Sequence, residues 1–176
     1  MVLDAVVNHT GPVTEIDKVY PNSWVRSSPT CTYNNFKNTT ECTLVANLPD
    51  VLTESNLPAE LPQMLVDKWK KEGRYEAEIK SLNDFFKRTG YPKAPKYYIM
   101  KWLADYVEEF GIDGYRVDTV KHNNEEIFKK FVRNPLIFIK KTTLQKFSIK
   151  ICFLPLEKFM ATGFHKNKIM TSEIKK

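Results

Sequence analysis

Apolar residues recur at helical spacing most clearly in YYIMKWLADYVEEFG, residues 97–111. Ile99, Trp102, Leu103, Tyr106, Val107 and Phe110 follow i, i+3, i+4, i+7, i+8 and i+11, one stripe of an amphipathic helix. Gly111 is the expected stop, because glycine adopts the left-handed cap at no steric cost. A second helical region spans 62–88, with Pro62 suited to a first turn and Gly73 dividing it in two. Its apolar positions are Met64, Leu65, Trp69, Ile79, Leu82 and Phe86. Two short Val-rich runs, MVLDAVVNH at 1–9 and IDGYRVDTV at 112–120, predict strands, the first of them buried. Between the first strand and the helices, residues 10–62 are rich in Asn, Thr, Ser and Pro and predict a long irregular insertion. The order strand, insertion, helix, short turn, strand predicts a βαβ crossover whose first loop has expanded. After about residue 131, Ile, Phe and Lys mix without a helical period. Alternating stretches there favour strands, and the βα rhythm does not visibly continue.

Side chains alternate faces along a strand, so Gly114, Arg116 and Asp118 share one face. A guanidinium two residues from a carboxylate favours its ionised form. An ionised carboxylate at a strand end suits a nucleophile; the same pair also suits a structural charge cluster. In the first strand Val2, Asp4, Val6 and Asn8 share a face. A buried Asp4 needs a partner, and Arg116 is the candidate if the two strands are neighbours. His9 and Asn8 end that strand and read, taken alone, as ordinary rim or turn residues.

Composition narrows the class. The chain has 176 residues, 42% hydrophobic and 12% aromatic, which suits a globular domain. No apolar run approaches the roughly 18 residues a membrane helix needs. No basic segment precedes the first apolar run, so no signal peptide is recognisable. The net charge of +6 lies entirely in the tail, where residues 132–176 hold 10 Lys and Arg against two acidic residues, Glu157 and Glu173. A basic tail attracts polyanions, but no nucleic-acid motif accompanies it, and no nucleic-acid partner is expected. Cys31 and Cys42 flank a polar segment, as a loop disulfide in an exported protein or as two free thiols; Cys152 stands apart. Asn8-His9-Thr10 and Asn38-Thr39-Thr40 match the glycosylation sequon.

DAVVNH at 4–9 resembles the first signature of the alpha-amylase family, glycoside hydrolase family 13. GYRVDTVKH at 114–122 resembles its second, G-[FY]-R-x-D-x-x-x-H, and LPD at 48–50 resembles the short signature near that family's calcium site. The three stand in the family's order, with the insertion where the family places its domain B, and cover about residues 1–131. The resemblance implies an α/β fold, part of a (β/α)8 TIM barrel with an inserted loop domain. Its parts would be a barrel strand at 1–9, a domain-B-like insertion at 10–94, a barrel helix and strand at 95–131, and an atypical basic tail at 132–176.

The same resemblance implies roles. Asp118 matches the nucleophile of retaining hydrolysis and Arg116 the residue that orients and ionises it. His9, Lys121 and His122 match substrate-binding residues. Asn8, Asp50 and the backbone carbonyl of His122 match ligands of a structural Ca2+, and Asp4 a buried supporting carboxylate. Trp24 and Tyr33 are aromatic candidates for stacking on sugars, with packing inside the loop domain as the alternative. The implied partner is an α-glucan, the implied reaction cleavage of α-1,4-glucosidic bonds in starch-like glucans, and the parent secreted or periplasmic. A glucan-binding segment without catalysis, or an α-glucosidase or transglycosylase of the same family, are the alternatives.

Retaining hydrolysis needs a second carboxyl group about 5–5.5 Å from the first. The family's third and fourth signatures, with a Glu and a His-Asp pair, are not found. Glu157 and Glu173 lack an apolar strand leading to them, and His165 precedes Lys166. A (β/α)8 barrel usually takes about 250 residues, and only two of its strands are recognisable here. The expectation is a fragment that begins at the third barrel strand, is inactive alone, and carries a reading-frame slip or a gene-prediction artefact near residue 131.

Overall fold

The computed structural model describes residues 1–11, 20–133, 148–152 and 170–173. Strand β1 (Val2–Ala5) leads into the insertion, which holds β2 (Val25–Arg26), a single helical turn α1 (Lys37–Thr40) and β3 (Asp50–Val51). Helices α2 (Gln63–Lys71), α3 (Tyr75–Thr89) and α4 (Pro95–Phe110) follow, then β4 (Gly114–Val117), α5 (Glu125–Arg133), β5 (Ser148–Cys152) and β6 (Met170–Glu173). The break predicted at Gly73 separates α2 from α3. Gly111 caps α4 at φ 60°, its N–H bonded to the Val107 carbonyl at 3.0 Å. At the other end Pro95 takes the first turn, where its missing N–H costs nothing.

One sheet has the order β1-β4-β5-β6, and β2 pairs antiparallel with β3 in a small second one. Strands β1 and β4 run parallel with Val2 opposite Gly114 and Asp4 opposite Arg116. The crossover through α4 was legible in the sequence; its continuation was not. Helix α5 and the parallel pairing of β5 with β4 extend the βα rhythm one step past residue 122, and β6 then returns antiparallel. Glu173 ends β6, while Glu157 and His165 lie outside the described residues.

The first strand is only half buried, contrary to the reading of a buried run. Ala5 and Val7 are buried, but Val2 and Val6 are more than half exposed. Asp4 is likewise no buried carboxylate: it pairs with Arg116 as predicted, yet its side chain is 60% exposed and that of Arg116 48%. Alternation explains both. Helices cover the face bearing Ala5, Tyr115 and Val117, and the face bearing Asp4 and Arg116 meets no cover among the described residues.

Helix α4 also buries a different stripe from the one predicted. Tyr97, Met100, Lys101, Ala104 and Val107 are buried, while Tyr106 and Phe110 are half exposed. The helix is apolar over most of its circumference, so its neighbours select the face. Small Ala104 permits close approach. The ammonium groups of Lys96 and Lys101 escape burial costs through Glu126, at 3.0 Å, and Asp105.

Trp24 joins the insertion to this helix. It is 2% exposed, stacks on Trp102 with centroids 6.1 Å apart and planes at 15°, and lies 5.1 Å from the Tyr98 ring. Its indole N–H donates to the Glu60 carbonyl at 2.7 Å, satisfying the one polar group that burial would orphan. Trp24 is therefore core, which removes it as a sugar platform. Among the described residues, no helix is long and apolar enough to cross a membrane. Trp24→Ala is expected to destabilise the fold by about 3–5 kcal/mol, read as a lower urea midpoint in a tyrosine- and tryptophan-monitored melt; an unchanged midpoint would show that the insertion docks by other means.

Candidate active site

Parallel pairing carries the ends of β1 and β4 to the same side of the sheet. Asn8 and His9 follow β1 there; Asp118, Lys121 and His122 follow β4. The Asp118 amide donates to the Ala5 carbonyl at 3.0 Å, which extends the ladder to the last strand position. Asp118 itself is exposed on the open face. Arg116 reaches Asp4 across the strands. Immediately after Asp118, Thr119 takes φ 48°, ψ 35°. A β-branched residue is costly there, and such strain collects where a turn must aim side chains. The 3-10 turn of 120–122 then sends Lys121 outward and His122 inward.

The insertion closes over the same rim through β3. Val51 N–H donates to the Asn8 carbonyl at 2.7 Å, Thr10 N–H to the Pro49 carbonyl at 3.0 Å, and His9 bridges Asp50. Asn8, Asp50 and His122 are each at most 2% exposed. One terminal atom of the Asn8 amide lies 3.2 Å from Asp50 Oδ1 and 2.9 Å from the His122 carbonyl oxygen. With nitrogen turned inward, the amide donates to both. With oxygen turned inward, an amide, a carboxylate and a carbonyl oxygen converge, an all-oxygen set that fits a hard divalent cation such as Ca2+. The three ligands expected from the sequence are therefore brought together.

Asp50 also meets Arg26, whose Nε lies 2.9 Å from Oδ2 as an ion pair, and Arg26 in turn bonds Glu54. Oδ2 is buried, with the Arg26 guanidinium as its charged partner. Burial outweighs the Arg26 charge and, with the Glu54 carboxylate alongside, pushes the Asp50 carboxyl up to about 8. A cation at the converging oxygens would oppose that shift directly.

The His122 ring is fixed as firmly as its carbonyl. Nδ1 donates to the Thr39 carbonyl at 2.8 Å, which sets the tautomer and leaves Nε2 unprotonated in the neutral ring. Burial holds the imidazole below its usual range; Lys121 and His9 act the same way, the Thr39 bond and Asp118 against it. Cys31 and Cys42 form a disulfide, with Cys31 Sγ 3.7 Å from His122 Nδ1. Tyr33, 47% exposed, sets its ring edge-on to His122 at 5.6 Å, and the Lys121 ammonium lies 4.8 Å from its centroid. Of the two aromatic candidates, Tyr33 alone stands open at the rim.

Sequence reasoning missed Arg26, Glu54, Thr39 and Thr119. Arg26 left one signal, as the single arginine in an insertion with few basic residues. Thr39 and Thr119 act through backbone atoms and Glu54 through a side-chain ion pair with Arg26, none of which spacing encodes.

No protein-family model matches the chain. Over 108 residues it is 32% identical to the periplasmic alpha-amylase of Escherichia coli (strain K12), a match that takes in 60% of this chain and 14% of that protein. Among solved structures it resembles the alpha-amylase of Geobacillus thermoleovorans complexed with acarbose, at 20% identity and a TM-score of 0.46, over 79% of this chain and 23% of the other. It also resembles an Anoxybacillus alpha-amylase, at 21% identity and a TM-score of 0.44, over 78% and 22%. The chain thus spans a small part of the length of each protein it matches. Its three motifs and this relative point the same way: over those 108 residues the chain is similar to one segment of an alpha-amylase.

Proposed function

We propose that this chain is the segment of a retaining, alpha-amylase-type glycoside hydrolase that supplies the nucleophile and the calcium-binding rim, from a secreted or periplasmic parent acting on α-1,4-glucans. Residues 1–9 and 95–131 would contribute to its barrel and 10–94 its domain B. The observation that carries this reading is the meeting of Asn8, Asp50 and the His122 carbonyl beside the strand end that bears Asp118.

In this reading Asp118 attacks the anomeric carbon as its glycosidic bond to the leaving oxygen breaks, giving a covalent glycosyl-enzyme that water later opens. Arg116, on the same strand face, would orient the carboxylate for attack, while its guanidinium pairs with Asp4 across the strands. His9 and Lys121 offer hydrogen bonds to sugar hydroxyls from the two strand ends. Proton delivery to the leaving oxygen needs a second carboxyl group, and none in this sequence has the context of one. Bound Ca2+ would lock the insertion against both strand ends, and the residues that would hold it are Asn8, Asp50 and, through its carbonyl, His122.

Three outcomes are expected. The purified 176-residue chain will release no reducing sugar from starch above a blank, and turnover that Asp118→Asn abolishes would overturn the inactivity of the chain alone. Calcium will raise its melting temperature, and Asp50→Asn will remove most of that rise. The pH dependence follows from the raised Asp50 carboxyl. A metal-free folded chain keeps a proton that the unfolded chain loses near 3.8, so Asp50 lowers stability progressively from there up to about 8. Calcium needs the carboxylate, so its apparent affinity should climb by up to about tenfold per pH unit in that window and level off above it. Calorimetric titration at pH 6, 7 and 8 measures this; a flat affinity would remove Asp50 from the ligand set.

A further inference from the structure

Cys31, Cys42 and His122 bring two sulfurs and an imidazole nitrogen within 4.8 Å of one another. This cluster lies behind the calcium-binding rim and takes no part in it, because the rim uses the carbonyl of His122 and the cluster its ring. In the oxidised chain the sulfurs are joined. We propose that in the reduced chain these three residues form a binding site for a thiophilic divalent cation of the zinc type.

Three features carry the proposal. The first is spacing. Zinc holds sulfur at about 2.3 Å and imidazole nitrogen at about 2.0–2.1 Å, which sets the two donors of a tetrahedral site roughly 3.5 Å apart. Cys31 Sγ and His122 Nδ1 already lie 3.7 Å apart. The Thr39 carbonyl oxygen, 2.8 Å from Nδ1 and 3.9 Å from Cys31 Sγ, supplies an oxygen at a fourth corner.

The second is preorganisation without the disulfide. The loop between the cysteines is held by its own hydrogen bonds. Cys31 N–H reaches the Thr43 carbonyl at 2.9 Å, and Thr43 N–H the Pro29 carbonyl at 2.8 Å. Asn38 N–H reaches Asn35 Oδ1 at 2.9 Å, and the Asn38 amide Thr32 Oγ1 at 3.1 Å. Cleaving one S–S bond leaves these in place, so the donors stay gathered.

The third is charge. Cys42 is 1% exposed and His122 2%. A divalent cation with two thiolates is neutral, so the filled site avoids the cost of an isolated buried charge. Soft sulfur ligands favour zinc-type ions over calcium, so the two neighbouring sites select different metals.

The chemistry balances. A phosphine reductant takes oxygen from one water and becomes the phosphine oxide, while the disulfide gains two electrons and two protons. On binding, the two thiols release their protons and the ring shifts its Nδ1 proton to Nε2, so that Nδ1 ligates.

The test uses the full chain carrying Cys152→Ser, which leaves two thiols. Reduced protein, freed of phosphine under argon, is titrated with Co2+ and then Zn2+. A cobalt–thiolate charge-transfer band that saturates at one equivalent and is lost on adding Zn2+ is expected. Oxidised protein, which needs no further substitution and so controls for folding, is expected to give none. Cys42→Ser should abolish the band, and His122→Gln should shift the visible cobalt bands. No band in the reduced chain, or an undiminished band in Cys42→Ser, overturns the proposal. Calcium does not enter the experiment, so its outcome is independent of the calcium rim.

Discussion

With Asp4 opposite Arg116, the parallel pairing of β1 and β4 decides where every later residue stands. Parallel strands end on the same side. The residues that follow them, Asn8 and His9 on one and Asp118 to His122 on the other, must therefore share one rim. The α4 crossover makes this pairing possible, and the Asp118–Ala5 hydrogen bond carries it to its last position. The Asp4–Arg116 ion pair contributes little to holding the strands together, since pairs so exposed are worth about 0–1 kcal/mol. It marks the register, with Asp4 directly opposite Arg116.

The insertion answers a different constraint. A long polar loop cannot bury its backbone without partners, and here it finds them on the rim itself. The Asn8 carbonyl takes the Val51 amide, the Thr39 carbonyl takes the His122 ring, and Trp24 anchors the other side in the aromatic cluster of α4. One consequence is that the loop and the strand ends are each incomplete without the other. Another is that Asp50 sits buried, with Oδ2 paired to Arg26 and Oδ1 beside the Asn8 amide. Burying that carboxylate costs stability, and the Arg26 guanidinium offsets only part of the cost.

His122 concentrates these effects in one residue. Its carbonyl faces Asn8, its ring faces Thr39 and the Cys31 sulfur, and Tyr33 packs on its edge. The strained Thr119 backbone just before it is the geometric cost of turning the chain sharply enough to present Asp118 outward and His122 inward.

Much of this was legible from residues alone. Periodicity located α4 and its Gly111 stop, the Gly73 break and both strands, because glycine caps and apolar spacing act locally. The motifs named Asn8, Asp50, Arg116, Asp118 and His122, and alternation on neighbouring strands put Asp4 within reach of Arg116. Local signals did not reach further. Which stripe of α4 is buried depended on its neighbours, since a helix apolar on several sides carries no preference of its own. Whether Asp4 is buried depended on what covers the sheet. The parallel return of β5 after α5 had no turn chemistry to announce it. The roles of Arg26, Thr39 and the disulfide behind His122 arise from contacts across 24, 83 and 91 positions. Sequence determines the residue types and the local geometry of each segment; only the packed chain decides which distant atoms share a site, because burial and charge pairing are properties of neighbours in space.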